Sequence, residues 1–233
     1  MPGTVFLIPT VLYEGETGCL PGYITDAIKE CKVFFVENER TARRYFKLLW
    51  KEMVIDDYEW HTIKELDQDT IHAFRNALKS GKTVGIVSEA GCPGIADPGQ
   101  QLVAIAQENN VTVKPLVGPN SILLALMASG LNGQQFQFCG YLPIDKNERA
   151  KALKTLENES RQKNCTQIFI ETPYRNQQLL ETIIKTCQPE TKVCIAADIT
   201  AQTEWIKTMS IRQWKSMTTD LHKKPAIFLL QAT

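Results

Sequence analysis

One loop constrains the fold of this chain more than any other segment. Residues 88–99, with the sequence SEAGCPGIADPG, hold three glycines and two prolines. The apolar run Thr83–Val87 before the loop predicts a buried strand, and Gln100–Glu108 after it has the apolar spacing of a helix. The loop is longer than the two to six residues that usually connect such elements, so we predict that it holds a ligand. A tight strand-to-helix connection without a ligand is the alternative.

The residues of this loop predict its local geometry. Asp97 is the expected N-cap and Pro98 the expected first helical residue, so the free N–H groups of a helix N-terminus would face whatever the loop encloses. Gly91 and Gly94 are expected to adopt positive φ and to allow close backbone approach. Cys92 is either a small residue that fills a backbone turn or a nucleophile, and no histidine lies near it in sequence.

Strands and helices alternate along the first part of the chain, which predicts a parallel sheet covered by helices. The strands after residue 133 follow one another with fewer helices between them, which favours a mixed sheet. We therefore predict an α/β protein of two α/β domains, residues 1–132 with a mostly parallel sheet and residues 133–233 with a mixed sheet. The cleft between two such domains is the expected ligand site. Besides the strand and helix that flank the loop, the predicted strands are Val5–Ile8, Val33–Val36, Val111–Val117, Phe136–Tyr141, Gln167–Ile170, Lys192–Ala196, Thr203–Met209 and Ile227–Gln231, and the predicted helices are Tyr23–Cys31, Thr41–Lys51, Asp69–Leu78, Ile122–Ser129, Arg149–Arg161, Asn176–Cys187 and Ile211–Met217.

Composition narrows the classes of function. The 233 residues carry 26 basic and 26 acidic side chains, so no net charge draws the chain to nucleic acid. Basic residues number 12 against 16 acidic ones up to Gly118 and 14 against 10 beyond it, a mild bias that is compatible with a phosphate-bearing substrate. No apolar run approaches the ~20 residues of a membrane span, and the N-terminus lacks a basic leader, so we expect no membrane association and a cytoplasmic location.

Metal and disulfide chemistry are not expected. The seven cysteines form no Cys-x-x-Cys pair, which argues against both a disulfide framework and a zinc knuckle, and we expect reduced and mostly buried thiols. The three histidines, His61, His72 and His222, show no metal-ligand spacing, and we predict no bound metal. The chain also lacks the G-x-G-x-x-G and P-loop fingerprints, which argues against a conventional NAD enzyme or P-loop NTPase.

Polar residues follow several predicted strands, and in open α/β sheets ligands sit beyond the carboxyl ends of strands. Glu37-Asn38-Glu39-Arg40 follows an apolar strand and is either a functional cluster or an ordinary helix cap with acids in the first turn. Arg40 and Arg44 lie one helical turn apart and suit a phosphate-binding fork, whereas Arg43 suits a solvated face. Glu171 follows another apolar run, so its carboxylate must face a cleft or be paired, with Arg175 as the available partner.

Five segments together carry a family resemblance. They are the loop at residues 88–99, Gly118-Pro119-Asn120-Ser121, Ala128-Ser129-Gly130-Leu131, Gly140-Tyr141-Leu142-Pro143 and Ile170-Glu171-Thr172-Pro173-Tyr174-Arg175. In order and spacing they resemble the tetrapyrrole methylase superfamily, and within it the ribosomal branch of small-subunit rRNA (cytidine-2′-O)-methyltransferases. The resemblance implies two α/β domains, a homodimer, and S-adenosylmethionine bound in the cleft between the domains.

Carried over position by position, the resemblance implies a set of cofactor-binding residues. In the first half of the chain they are Pro9, Gly91, Cys92, Pro93, Ile95, Asn120 and Ser121. In the second half they are Ile170, Glu171, Thr172, Ala197, Pro225 and Ala226. Glu37, Asn38 and Arg40 match the acidic motif of the branch and are expected on the substrate side.

Several segments depart from the pattern of the branch. The motif expected after the first strand, Ala-Thr-Pro-Ile-Gly-Asn-Leu, is replaced by Pro9-Thr10-Val11-Leu12-Tyr13 and a longer stretch up to Pro21. The acidic motif reads Glu-Asn-Glu-Arg instead of Glu-Asp-Thr-Arg, and a His-Glu-His-Asn segment has only His61 as a counterpart. Pro225-Ala226 stands where Gly-Glu is expected. The cofactor segments are therefore better kept than the substrate side.

The sequence supports three hypotheses of function. The first is an S-adenosylmethionine-dependent methyltransferase that modifies the 2′-hydroxyl of a ribose in small-subunit rRNA, with the small ribosomal subunit as partner. A ribose hydroxyl is a poor nucleophile, so a base or a stabilising cation should assist, and Glu37, Glu171 and Arg40 are the candidates for catalysis. The second hypothesis is methylation of a tetrapyrrole or another small molecule. The third is a paralogue that binds the cofactor without catalysis.

Overall fold

The structure is a computed structural model that describes residues 3–63 and 66–232. The chain divides into two compact units, one ending at Asn120 and the other beginning at Ser121. The division falls ahead of residue 132, where the strand pattern placed the boundary, because the helix that begins at Ser121 packs on strands of the second sheet. Within the described residues, no helix has both the length and the apolar character needed to cross a membrane.

The first unit contains a five-stranded sheet in which every paired strand runs parallel, with the strand order β3-β2-β4-β1-β5. This confirms the predicted parallel sheet. The strands are β1 (Thr4–Ile8), β2 (Val33–Val36), β3 (Glu59–Thr62), β4 (Val84–Val87) and β5 (Thr112–Pro115), and the helices are α1 (Tyr23–Glu30), α2 (Glu39–Leu49), α3 (Gln68–Lys79) and α4 (Gly99–Glu108).

Side chains that alternate along β2 explain why this sheet is covered on both faces. Val33 and Phe35 join an apolar cluster with α3 and α4, whereas Phe34 and Val36 join a second cluster with α1 and α2. Successive side chains of a strand point to opposite faces, so a strand with four buried residues needs a layer on each side. The two clusters supply those layers.

The register of the strands brings several loops together. Ile8 and Val36 both pair with Val87, so the carboxyl ends of β1, β2 and β4 lie level with one another. The loops that follow these strands therefore meet at one edge of the sheet, together with the loop after β5, which pairs with β1. We call this the first edge.

The second unit contains a five-stranded mixed sheet with the order β6-β7-β10-β8-β9, as predicted. Only β6 and β7 pair in parallel, and the other pairs are antiparallel. Ile170 pairs with Ile227 and Ala197 pairs with Ala226, so the ends of β7 and β8 meet the start of β10 at what we call the second edge. The elements are α5 (Ser121–Ser129), β6 (Phe136–Tyr141), α6 (Lys146–Lys163), β7 (Thr166–Ile170), α7 (Asn176–Thr186), β8 (Lys192–Ala197), β9 (Trp205–Ser210), α8 (Ile211–Trp214) and β10 (Ala226–Gln231).

The structure differs from the predicted elements in a few places. Strand β3 was not predicted, because it is a four-residue edge strand without a buried face. Helix α6 begins at Lys146 instead of Arg149, because the Asp145 carboxylate accepts hydrogen bonds from the N–H groups of Asn147 and Glu148. All seven cysteines are free thiols, and four of them are buried.

Candidate functional site

Hydrogen bonds tie the loop after β1 to the glycine-rich loop at the first edge. The Thr10 N–H donates to the Gly91 carbonyl over 2.9 Å, and the Thr10 hydroxyl donates to the Ser88 carbonyl over 3.3 Å. The buried Tyr45 hydroxyl donates to the Pro9 carbonyl over 2.7 Å, which also anchors the loop to α2. Pro9, predicted from the resemblance, and the loop at Gly91 are thus held side by side.

Glycine is required at two positions where these loops approach one another. Gly91 has a φ of +77°, as predicted, and a Cβ added there would lie 3.1 Å from Leu12 Cδ2 and from the Pro119 carbonyl oxygen. A Cβ added at Gly118 would lie only 2.1 Å from the Pro9 Cβ. The loops after β1, β4 and β5 therefore pack against each other with no room for a side chain at either glycine.

The remaining residues of the glycine-rich loop have distinct environments. The Cys92 thiol donates to the Pro119 carbonyl over 3.4 Å, and burial raises the pKa of this thiol. Both observations fit the turn-filling interpretation of Cys92 better than that of a nucleophile, because a raised pKa keeps the group protonated. Pro93 is buried, whereas Ile95 is 48% exposed and faces solvent.

The start of α4 corrects two predictions. The helix begins at Gly99, so Pro98 is the N-cap and not the first helical residue, and Asp97 precedes the N-cap. The Asp97 carboxylate nevertheless accepts hydrogen bonds from the N–H groups of Gly94 (2.9 Å) and Gly99 (2.8 Å). Gly94 has the predicted positive φ of +82°. Asp97 thus closes the end of the loop on itself and still satisfies one N–H of the helix N-terminus.

Glu37 joins the end of β2 to the glycine-rich loop. Its carboxylate accepts a hydrogen bond from the Glu89 N–H over 2.8 Å. Burial raises the pKa of Glu37, the Glu89 N–H opposes that shift, and the nearby carboxylates of Asp97 and Glu89 add to it. Asn38 caps α2, because its side chain accepts from the Arg40 and Thr41 N–H groups, so the helix-cap alternative holds for this residue.

Two of the three arginines of α2 form ion pairs. Arg43 forms an ion pair with Glu39 over 2.6 Å, and Arg44 forms one with Glu14 over 3.0 Å. Arg40 is exposed at the first turn of the helix. Of the three, Arg40 is the one that the structure leaves on the surface without an ion pair to another described residue.

A cavity of about 560 Å³ lies within the first unit. The loop after β1 forms one wall, from Thr10 to Gly15, and α2 forms the second, from Thr41 to Leu48. The third wall is Ser88 to Ala90 at the start of the glycine-rich loop. The sequence patterns do not single out Glu89, Thr41 or Tyr45, because contacts between distant segments leave no local signal.

The structure brings the predicted residues of the second half together at the second edge. Ile170 ends β7, Glu171 and Thr172 come directly after it, and Ala197 ends β8, on the other side of β10. The Asp198 N–H donates to the Pro225 carbonyl over 3.0 Å, which joins the loop before β10 to the end of β8. Asn120 and Ser121 are not part of the second edge. Both are half-buried, and Asn120 is the last residue of the first unit while Ser121 is the first residue of α5.

Glu171 and Asp198 are acids buried at the second edge, and the resemblance predicted Glu171. The Glu171 side chain is 1% exposed, and Oε1 accepts hydrogen bonds from the Thr172 N–H (2.7 Å) and from Arg175 Nε (3.0 Å) and Nη2 (2.6 Å). The predicted ion pair with Arg175 is thus present. The second oxygen, Oε2, is buried and has no hydrogen-bond partner among the described residues.

Comparison with known proteins decides the family. Residues 24–214 match the family model described as Tetrapyrrole (Corrin/Porphyrin) Methylases. The chain belongs to this family. The resemblance predicted from the sequence is therefore confirmed, and the parallel and mixed sheets of the structure confirm the predicted fold class.

Two relatives within this family share substantial identity with the chain. The Ribosomal RNA small subunit methyltransferase I of Halalkalibacterium halodurans is 32% identical over 78% of this chain and 60% of its own length. The protein of the same name from Synechocystis is 35% identical over 85% of this chain and 67% of its own length. The chain thus spans about 60% to two thirds of these relatives. The crystal structure of the methyltransferase CobJ shares the fold, with a TM-score of 0.62 and 18% identity over 100% of this chain and 95% of that one.

Proposed function

We propose that this chain is an S-adenosylmethionine-dependent methyltransferase that modifies a ribose 2′-hydroxyl in the RNA of the small ribosomal subunit. The observation that carries the proposal is its identity of 32% and 35% to family members named Ribosomal RNA small subunit methyltransferase I. The gathering of the expected cofactor residues at two strand-end edges supports it. Assembly as a homodimer and a cytoplasmic location belong to the same proposal.

The residues present suit the cofactor. The unpartnered Oε2 of Glu171 is a buried acceptor, and leaving such an oxygen unsatisfied costs roughly 1–3 kcal/mol, which a hydroxyl or amino group of the cofactor would offset. S-adenosylmethionine supplies a methyl group on a sulfonium when it is bound. We propose that all thirteen residues implied by the resemblance take part in binding it.

Glu37 is the best placed of the three candidates for proton transfer. Its carboxyl has a raised pKa and is therefore a stronger base than an ordinary carboxylate. The Glu89 N–H holds one of its oxygens in place. Glu171 is engaged by Arg175 and the Thr172 N–H, so we assign it to binding, and the exposed Arg40 is free to hold a phosphate of the RNA.

A tetrapyrrole acceptor is the alternative that the family name suggests. The charged side chains of the first-unit cavity argue against it. They are two acids, Glu14 and Glu89, and two bases, Arg44 and Lys47. A tetrapyrrole with several carboxylates would need more cations than acids around it, whereas this cavity has equal numbers of the two.

Transfer of a labelled methyl group from S-adenosylmethionine tests the proposal. Small ribosomal subunits, large ribosomal subunits and a uroporphyrin-type tetrapyrrole would be offered in parallel. We expect label in small-subunit RNA at a linkage that resists alkaline hydrolysis, because a 2′-O-methyl group blocks attack on the phosphate. Glu37→Gln should lower the rate at least about a hundredfold, in the range of a lost general base. The exposed Glu30→Gln should not lower it. Label only in the tetrapyrrole, or in no acceptor, would contradict the proposal.

A further inference from the structure

An aromatic side chain projects from the second edge. Tyr174, in the loop after β7, is 71% exposed. Its ring meets that of His222 in a T-shaped pair, with the centroids 6.4 Å apart and the planes at 71°. His222 lies in the loop before β10 and is exposed as well. The resemblance selects other residues of these two loops, Thr172 and Pro225, so the proposed function gives neither ring a role.

Hydrogen bonds hold together the two loops that carry these rings. The Lys223 N–H donates to the Pro173 carbonyl over 3.1 Å, and the Asn176 side-chain amide donates to the Lys224 carbonyl over 2.6 Å. Asn176 is fully buried at the start of α7, so the second bond joins the loop before β10 to a fixed point. Lys223 has a left-handed φ of +60°, a costly conformation for a lysine that its bond to Pro173 helps to hold. The backbone under both rings is therefore fixed before any ligand binds.

Cations outnumber acids around the two rings. Within two positions of either ring the sequence has three cations and one acid, which are Arg175, Lys223, Lys224 and Asp220. Arg175 is paired with Glu171, and the Asp220 carboxylate accepts a hydrogen bond from the N–H of the histidine. Neither lysine forms an ion pair with an acid in the part of the chain that the structure describes. Two ammonium groups therefore remain for an anionic ligand.

An exposed aromatic face beside free cations fits single-stranded nucleic acid. A base of any identity can stack on an aromatic face, and cations beside it bind the backbone phosphates. A duplex cannot use such a ring, because its bases are already stacked on one another. A protein partner or a lipid surface would call for a larger apolar patch than one exposed ring.

We propose that one unpaired base of the RNA stacks on Tyr174, which His222 braces, while Lys223 and Lys224 hold the phosphates beside that base. The inference rests on the proposed function, because it takes RNA as the partner. Stacking tolerates any base, so this platform holds the strand and reads no sequence. Its role is therefore separate from the recognition of the nucleotide that is methylated.

RNA without bases tests the stacking. Fluorescence anisotropy would compare a uridine heptamer with a heptamer in which 1-deoxyribose replaces every uridine. The phosphates are the same in both, so the ratio of the two affinities reports the bases alone. We expect the wild-type chain to bind the uridine heptamer at least about tenfold more tightly, within the range of one stacked base.

Two substitutions of the same residue separate the ring from the fold. Tyr174→Ala should weaken binding of the uridine heptamer about tenfold and leave that of the base-free heptamer within about twofold. Tyr174→Phe keeps the aromatic face and should bind both heptamers as the wild type does. Phe136→Ala is the matched control, since this ring is 42% exposed at the start of β6, at the opposite end of the sheet from the second edge. It should preserve the wild-type ratio.

The lysines should give a different signature. Lys223→Ala and Lys224→Ala should weaken both heptamers to the same extent, and each should reduce the slope of log affinity against log salt by about 0.7, the value for one phosphate of a single strand. Tyr174→Ala should leave that slope unchanged. Lys154→Ala, at an exposed position on α6, should also leave it unchanged.

Three results would overturn the inference. They are equal affinity of the wild-type chain for the two heptamers, a wild-type ratio in Tyr174→Ala, and no measurable binding of either heptamer at about 50 mM salt. Methyl transfer to small-subunit RNA with the same KM in the wild-type chain and in Tyr174→Ala would also overturn the inference alone. Base-dependent binding that Tyr174→Ala abolishes, without any methyl transfer to RNA, would instead remove the proposed function and leave the platform.

Discussion

The two edges that hold the predicted site residues are built in different ways. At the first edge, the loops that follow four parallel strands contact one another. Hydrogen bonds between Thr10 and Gly91 and between Glu37 and Glu89 join three of these loops. At the second edge, the buried acid Glu171 takes its partners locally, from Thr172 and Arg175, while long-range bonds such as that from the Asp198 N–H to the Pro225 carbonyl join the loops. The polar contacts of Thr10 and Glu37 on the first edge are thus long-range, whereas those of Glu171 on the second edge lie within one turn of chain.

The two edges should respond differently to substitutions. A change in one loop of the first edge should be felt by the other loops, because each loop supplies the partners of the next. A change at Glu171 should remain close to the altered residue, because the partners of Glu171 lie within four positions of it. Four substitutions test this contrast.

Gly118→Ala should have the largest effect. A Cβ 2.1 Å from the Pro9 Cβ forces the loops after β1 and β5 apart, and overpacking of this kind costs about 3 kcal/mol. Urea denaturation would measure the loss of unfolding free energy. Gly22→Ala is the matched control, since an added Cβ there meets nothing within 4 Å. A loss of less than 1 kcal/mol at Gly118 would break the claim that these loops support one another.

Arg175→Met should rank second. It leaves the Glu171 carboxylate buried without its cation, which costs roughly 3–5 kcal/mol in a fully buried pair. The Arg175 side chain is 31% exposed, so solvent reduces the expected loss to about 2 kcal/mol. Arg212→Met, which removes an exposed pair with Glu190, should change the unfolding free energy by less than about 1 kcal/mol. Equal losses in the two variants would argue against the special position of Glu171.

Tyr45→Phe should cost about 1 kcal/mol, because the buried Pro9 carbonyl loses its hydrogen bond from α2. The contrast between the edges predicts a further effect, faster hydrogen exchange at the Thr10 N–H, which belongs to the same loop. Tyr174→Phe, at a side chain that is 71% exposed, should change neither quantity. Exchange that stays unchanged at Thr10 would confine the effect of Tyr45 to its own contact.

Glu37→Gln should have the smallest effect on the free energy of unfolding. The informative quantity is the sign with which this effect changes with pH. The folded-state pKa of Glu37 lies above the ordinary value near 4.5, so its protonated form favours folding. That contribution is fully present below pH 4.5 and is lost as pH rises through the raised pKa. Relative to the glutamine variant, the wild-type chain should therefore lose unfolding free energy between pH 4 and pH 7. A difference of the opposite sign would show that the Glu89 N–H outweighs the burial of Glu37.

Sequence patterns predicted most of the fold because its elements have strong local signals. The four buried residues of β2 and the strand at Phe136–Tyr141 were bounded correctly. The edge strand β3 was not predicted, because its residues are exposed or half-exposed and show no clear alternation of apolar and polar side chains. The left-handed conformation of Ala96, with a φ of +59°, also escaped, since non-glycine residues rarely adopt it.

The site was predicted to a different extent at each edge. The Glu171–Arg175 pair could be foreseen, because both partners lie in one short segment. The cavity and the contacts of Glu89 with Glu37 and Thr41 could not, because they join segments about fifty residues apart. Long-range contacts of this kind become visible only once the strand register is known.

Calorimetric titration with S-adenosylmethionine, and with its demethylated product, tests the central claim most directly. We predict saturable binding by the wild-type chain and at least tenfold weaker binding by Gly91→Val. A side chain at that position would meet Leu12 and Pro119 at a positive φ. Gly22→Ala should bind as the wild type does. Absence of binding up to millimolar ligand, or equal binding by Gly91→Val, would contradict the assignment of the first edge to the cofactor.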